Sequence, residues 1–387
     1  MASGVLPREW ILEAFTRGII TAEDPLADEQ VQPNSLDLRL SRSGYRVQCS
    51  FLPGPEGLVS KLDRFRWYDL PIPADGAVLE RNQVYLFPLM ESVALPEEVS
   101  GRGNPKSTIG RLDIFTRLVT EYGDAFDATP AGYRGRLYLE VVPRSFAVRV
   151  RPGDLLAQIR FQRGEPLLTD GDTAEALDQQ PIIIHRRGDA MHAADLRVAS
   201  GIFLSVHLTD SRDITIGYRA RKNTPPIDLR APGTLSVRRH WERLYSQSSA
   251  PMILQPDEFY IFSSQELVRI PPAFCAEMVP FDAGSGELRT HYAGFFDSGF
   301  GYAPNGDPAT SAAAVVLEIR NRDVPFLLEE GHPLFRVTLL RNTALPGIVY
   351  GAGSGSSYQG QRLRLSKQFR STDDDDAPGQ GRLDFAG

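Results

Sequence analysis

Cysteine is almost missing. The 387 residues hold two, Cys49 and Cys275, far apart and in no cluster. That excludes a disulfide framework and a cysteine-built zinc site, and it suits a reducing cytoplasm. Histidine is scarce as well, at six. His240-Trp241-Glu242 supplies the H-x-E half of a zinc-deaminase signature, but no P-C-x-x-C follows, so no metal site is expected. No apolar run approaches the ~18 residues that span a bilayer. The N-terminus, MASGVLPREW, lacks the basic-then-apolar order of a secretory signal. Positive charge is not in excess either: 42 Lys and Arg against 49 Asp and Glu leave a net −7. General nucleic-acid binding wants a basic face. A small anionic ligand stays open, because a few local cations decide that.

Turn-forming residues are what the chain has in quantity. Its 34 glycines and 29 prolines are spread along the sequence and point to many short strands. The length suggests about two domains, each able to bury a core. Residues 7–17 read as one helix, with Trp10, Ile11, Ala14 and Phe15 on a face and Gly18 as its stop. In residues 32–40, Leu36, Leu38 and Leu40 alternate with polar residues as in a half-buried strand. Further strands are expected at 83–89, 136–142, 146–150 and 155–161. Helices do not alternate with them, so an all-β barrel or sandwich is favoured over a parallel α/β sheet.

An internal repeat organises the rest. LERNQVYLFPLMESVALP (79–96) matches LQPDEFYIFSSQELVRIP (254–271), pairing Tyr85 with Tyr260, Phe87 with Phe262 and Glu91 with Glu266. Residues 137–161 match 315–339, pairing Glu140 with Glu318 and Gly153 with Gly331. The reading is a first unit over 1–190, a second over 191–370, and a disordered acidic tail over 371–387. The seam belongs in the polar stretch 164–199.

Candidate chemistry concentrates in four places. K-S-T-I-G-R (106–111) sets Lys106 as a point charge, Ser107 and Thr108 as donors and Arg111 as a fork, a set that suits a polyanion. Pro105 and the spacing exclude a Walker loop, though a solvated basic turn has the same composition. The second repeat lacks this segment and instead carries a Gly-punctuated hairpin at 291–301. The first-repeat counterpart of that hairpin is 127–135. Glu140 and Glu318 sit inside strands, where Glu is depleted. Apolar neighbours raise a carboxyl toward general-base values, and a wall glutamate paired with arginine is the structural alternative. Finally, 351–367 joins a Gly/Ser hinge to an aromatic, glutamines and cations, as in a loop that closes over a ligand or a plain linker. No G-x-S-x-G is present and Ser107 has no histidine partner, so a serine triad is unsupported.

Together Q-P-N-S-L-D-L-R-L (32–40), K-S-T-I-G-R, the hairpin with its strand ending in L-E, and Y-Q-G-Q (358–361) resemble the dCTP deaminase branch of the trimeric dUTPase superfamily. The likeness is to its double-length bacterial form. It implies a mainly β fold: two tandem dUTPase-like distorted jelly-roll β-barrels with a few short helices. It also implies zinc-independent deamination of dCTP to dUTP and ammonia in pyrimidine deoxynucleotide synthesis. By resemblance a strand glutamate, Glu140 or Glu318, activates water for attack at cytosine C4, and Ser107 and Arg111 stabilise the intermediate. Lys106 holds the triphosphate, with Thr108 beside it. Asp297, or Asp127 in the first repeat, reads the deoxyribose 3′-hydroxyl, and the Ala293 backbone holds the water. Tyr358 and Gln361 fold over the nucleotide. Mg²⁺ comes with the phosphates, dTTP is a candidate inhibitor, and a homo-oligomer with sites between barrels is expected.

This chain splits the family pattern between its repeats. That implies a composite site, with Lys106, Ser107 and Arg111 facing Asp297 and Glu318; the other arrangement uses Glu140 and Asp127. Alternative functions are a dUTPase, a bifunctional deaminase–dUTPase, or a non-catalytic deoxynucleotide-binding regulator.

Overall fold

A computed structural model describes residues 2–209, 214–246, 252–280, 288–290, 294–303, 306–321, 323–351 and 358–370. The acidic tail expected at 371–387 lies outside them. Helix α1 (Arg8–Thr16) follows Pro7, buries Ile11 and Ala14, and ends before Gly18 at φ 70°. The main strands of the first half are β1 (Leu36–Arg39), β2 (Ser43–Val47), β3 (Arg66–Pro71), β4 (Val84–Ala94), β5 (Val99–Pro105), β6 (Ile114–Thr120), β7 (Ala128–Thr129), β8 (Arg134–Pro143) and β9 (Leu155–Arg163). Helix α2 (Leu58–Phe65) lies between β2 and β3, and α3 (Ser107–Gly110) between β5 and β6. One sheet runs β3-β2-β4-β8-β6, and in the other β9 lies between β1 and β5, with β7 on β5.

The second half begins with α4 (Asp170–Gln179), capped by Thr169. It continues through β10 (Ile202–His207), β11 (Thr215–Ala220), β12 (Trp241–Tyr245), β13 (Phe259–Val268), β14 (Phe274–Pro280), β15 (Phe295–Phe296), β16 (Ala313–Asn321) and β17 (Pro333–Arg341). The pairings return in order: β16 with β13, β13 with β11, β11 with β12, and then β17 with β10 and β14, and β14 with β15. Single bonds recur too. The Tyr85 hydroxyl accepts from the Glu80 N–H at 3.0 Å, and that of Tyr260 from Gln255 at 2.9 Å. Glu91 accepts from the Arg39 N–H at 2.9 Å, and Glu266 from Ser205 at 2.8 Å. Gly153 and Gly331 share φ values of 80° and 74°, which an L side chain rarely adopts.

Alternation on β8 sends Leu137, Leu139 and Val141 into the first core. On β16, Val315, Leu317 and Ile319 enter the second. Leu168, Ala176, Leu177, Ile182 and Ile183 also pack into that second core. The two cores meet: Ile227, Val237, Trp241, Phe259, Ile261 and Val316 belong to the first half's cluster. Strand Ile227–Asp228 adds in parallel to Val148–Val150. On the other side of the first half, Leu58 and Leu62 of α2 join Val47, Leu86 and Val119 and cover the sheet face that carries Tyr138.

The half-buried strand expected at 32–40 is buried on both faces. Its polar residues are paired within the protein, which removes the need for water: Asp37 with Lys106, and Arg39 Nε with Glu91 Oε1 at 2.7 Å. Removing one member of such a pair strands the other. Arg39→Met should therefore cost roughly 3–5 kcal/mol of unfolding free energy, read by denaturant titration. Arg42→Met, whose partner Asp24 is solvent-facing, should leave the midpoint in place.

Candidate active site

A cavity of about 590 Å³ opens where the halves meet. Its first wall is the turn after β5. Lys106 keeps extended backbone and starts the single turn α3, so Ser107, Thr108 and Arg111 follow at helical spacing and line the cavity with it. The second wall comes from the other half: Asp297 beyond β15, and Glu318 in the middle of β16. Tyr350, Tyr358, Gln361 and Lys367 close a third side.

The first two walls touch. A Cβ at Gly110 would lie 2.9 Å from the Glu318 carboxylate carbon, so a side chain there would displace the carboxylate from its place against the turn. Glu318 is 5% exposed, and burial pushes its carboxyl up to about 8. Arg111 offsets this and Asp113 adds to it. Arg111 is itself buried, and burial lowers its proton affinity. It donates to the Arg364 carbonyl and to Gln361 Oε1, both at 2.9 Å, and lies 3.9 Å over the Tyr358 ring. Its Nε is buried with no hydrogen-bond partner among the described residues.

The described part of the C-terminal segment is packed across the site. The Tyr358 and Thr108 hydroxyls lie 2.8 Å apart, and Ser366 Oγ donates to the Thr108 carbonyl at 3.0 Å. Gln361 Nε2 donates to the Ala314 carbonyl on β16 at 3.0 Å. One segment therefore ties the basic turn to the glutamate strand. Residues 352–357 of the expected hinge lie outside the described residues, as does Ala293.

Asp297 is held by residues from the first half. Arg160, 1% exposed on β9, reaches Asp297 Oδ1 at 3.0 Å and the Ala276 carbonyl at 3.1 Å. Ser35 Oγ lies 3.4 Å from Asp297 Oδ2, and Asn34 Oδ1 accepts from the Ser298 N–H at 2.8 Å. Lys106 pairs with buried Asp37. Sequence reasoning missed Arg160, Asp37 and Tyr350. Arg160 alternates with Ile159 and Phe161 and reads as an ordinary solvent-facing cation. Only the packing of a second half against that face turns it inward.

Glu140 and Asp127 are not among the cavity's lining residues. Glu140 is buried opposite Arg117 in the sheet, its carboxyl raised by burial and pulled back by Ser50 and Arg117. Asp127, pushed up to about 7 by burial, accepts from the Leu118 N–H at 2.8 Å. Strand register also separates Asp127 from Asp297. Ala128 and Thr129 pair with Arg102 and Gly101, as Phe295 and Phe296 pair with the repeat-equivalent Glu277 and Ala276. The first-half position equivalent to Asp297 is therefore Pro130. His240 of the H-x-E fragment is a core residue, its ring edge-on to Phe146 and Phe369 and its nitrogens on the Ser236 and Pro225 carbonyls.

A buried carboxyl of near-neutral proton affinity, an adjoining guanidinium and a rim with lysines form the equipment of a hydrolytic site for an anionic substrate. Residues 2–165 match the family described as 2′-deoxycytidine 5′-triphosphate deaminase (DCD) N-terminal domain, and residues 169–369 its C-terminal domain. The chain belongs to the 2′-deoxycytidine 5′-triphosphate deaminase family. A crystal structure of 2′-deoxycytidine 5′-triphosphate deaminase from Agrobacterium tumefaciens is 42% identical, covers 92% of this chain and all 100% of its own, and superposes with a TM-score of 0.83. A "dCTP deaminase, dUMP-forming" from Methanothermobacter thermautotrophicus is 31% identical over 153 residues, 38% of this chain and 72% of that protein. A "dCTP deaminase" from Hyperthermus butylicus is 27% identical over 158 residues, 40% and 81% respectively.

The Glu318 environment has a thermodynamic signature. Its carboxyl keeps its proton to about pH 8 when folded, against 4.5 in an ordinary setting. The unfolded chain thus ionises first, and the wild-type protein loses stability as pH rises through that window. Glu318→Gln should raise the thermal midpoint, with the gain opening above pH 4.5 and levelling off past about 8. Thermal scans across pH check this, and a pH-independent difference would contradict it.

Proposed function

We propose that this protein hydrolyses dCTP to dUTP and ammonia, with Glu318 as the general base and proton shuttle. The observation that carries the reading is the Glu318 carboxyl against Gly110 and Arg111 inside the cavity. In this reaction the ionised Glu318 takes a proton from water as the water oxygen bonds to cytosine C4. It passes that proton to ring N3. It then takes the remaining hydroxyl proton at C4 and delivers it to the amino nitrogen as the C4–N bond breaks and the carbonyl forms, leaving N3–H uracil and ammonia. A carboxyl titrating near neutrality can do both. The Arg111 Nε and the Ser107 hydroxyl donate to the ring as negative charge develops there.

Lys106 and Thr108 receive the triphosphate, helped by Lys367 and Arg230 on the cavity wall. Asp297, fixed by Arg160, accepts from the deoxyribose 3′-hydroxyl, and Tyr358 and Gln361 cover the nucleotide. Mg²⁺ would arrive on the substrate's phosphate oxygens. That fits a cavity whose Asp37, Asp154 and Asp297 are already paired with Lys106, Arg230 and Arg160. The two cysteines, one exposed and one buried, are compatible with a cytoplasmic setting.

Onward hydrolysis to dUMP is the second reading, favoured by the name of the Methanothermobacter relative. Following dCTP by product identity decides between them: ammonia with dUTP for the first, ammonia with dUMP and pyrophosphate for the second. Glu318→Gln should slow ammonia release roughly 10²–10⁴-fold, while Glu140→Gln keeps the wild-type rate. The kcat/KM profile should rise with pH toward about 8, as free Glu318 ionises. Full activity in Glu318→Gln would overturn the assignment. A dCTP-dependent thermal shift without ammonia would indicate a binding protein instead.

A further inference from the structure

Two residues beyond Arg111 on one half, and two beyond Glu318 on the other, a second buried ion pair crosses the junction. Asp113 is 0% exposed and Arg320 6%. The Arg320 guanidinium grips the carboxylate with two nitrogens, Nη2 on Oδ2 and Nε 3.4 Å from Oδ1. Ser145 Oγ donates to Asp113 Oδ2 at 2.6 Å and accepts from Arg320 Nη2 at 3.0 Å. Arg320 Nη1 donates to the Asp257 carbonyl at 2.7 Å. The Asp113 backbone closes the basic turn: its N–H donates to the Gly110 carbonyl, and its own carbonyl accepts from Arg144, both at 2.9 Å. Asp113 does this at φ 55°, a left-handed conformation uncommon for a residue with a side chain. A buried carboxylate in that conformation, clamped by a guanidinium from the other half, needs a reason at this spot.

We propose that Asp113 and Arg320 form a positioning pair for Glu318. Joined across the halves, they fix the register of β16 against the Arg111 turn, and with it the contact between Glu318 and Gly110. The proposal rests on Glu318 being the base. Alternation places Glu318 and Arg320 on one face of β16. The charged groups acting on Glu318 are Arg111 and Asp113 from the turn, and Arg320, two residues along its own strand, is held on Asp113. Asp37, Lys106, Asp297, Tyr350, Tyr358 and Lys367 line the cavity that Glu318 shares. Asp113 thereby favours the protonated Glu318, and Arg320 bears on the base through the carboxylate it clamps, so the pair sets the base's proton affinity as well as its place.

The two charges predict opposite signatures. Asp113→Asn leaves Arg320 uncompensated, so the acidic limb of kcat/KM for ammonia release should move to lower pH. Arg320→Gln leaves Asp113 uncompensated, so the limb should move to higher pH. Each should lower kcat about 10- to 100-fold, with KM within about threefold, because the misplaced group is the base rather than a substrate contact. Asn tolerates the left-handed backbone. Should Arg320→Gln fail to fold around a lone buried carboxylate, the double variant Asp113→Asn/Arg320→Gln removes both charges. Its limb should return near the wild-type position while kcat stays low. A limb unmoved in Asp113→Asn, equal shifts in both single variants, or a kcat within twofold of wild type in the folded variants would overturn the proposal. The pH at which the Glu318→Gln stability gain levels off, measured in the Asp113→Asn background, reports the same shift without substrate. If the wild-type protein releases no ammonia, the deaminase reading fails, and this thermal shift still decides the role of Asp113.

Discussion

Arg160 and Asp297 meet across the junction of the two halves at 3.0 Å, both nearly out of water. Isolated, either charge would cost several kcal/mol to bury, so each half is competent at this face only with the other in place. Asp113 with Arg320 repeats the arrangement a few residues from Glu318. Buried ion pairs add little net stability over apolar packing, and geometric uniqueness is what they are suited to give. The cavity lies among these pairs, and its shape follows from their register.

The halves share one architecture and present different faces to the cavity. In the second, β16 presents Glu318 to a foreign turn, where Gly110 permits van der Waals contact and Arg111 supplies the opposing charge. In the first, the equivalent β8 faces its own α2 and the cluster of Val47, Leu58 and Leu62. Glu140 is buried there beside Arg117, and Pro130 stands where the second half has Asp297. A duplicated fold with one complete cavity per half would need two basic turns. This chain has one, and it points across the junction.

Much of this is legible in the sequence, and the boundary of legibility has a physical cause. The mainly β character and the repeat follow from local pattern: Tyr85 and Tyr260 fill the same slot and bond the same backbone position. The basic segment is equally visible, because its residue types are rare in combination. What local pattern does not carry is the choice between Glu140 and Glu318. Both alternate with apolar neighbours, and their difference lies in what packs on the outer face. Arg160, Asp37 and Arg320 were hidden for a related reason. A charge alternating with apolar residues reads as solvent-facing until a second layer covers it, and β1 shows the same misreading in its buried Asp37 and Arg39.

The composite site makes one demand that a single structure answers. In crystals of the Glu318→Gln variant grown with dCTP, the cytosine C4 should sit within hydrogen-bonding reach of residue 318 and Arg111. The triphosphate should lie along Lys106–Thr108, with Tyr358 over the nucleotide. A nucleotide bound instead with its base against Glu140, on the face that α2 covers, would contradict the assignment of one site shared between the two halves.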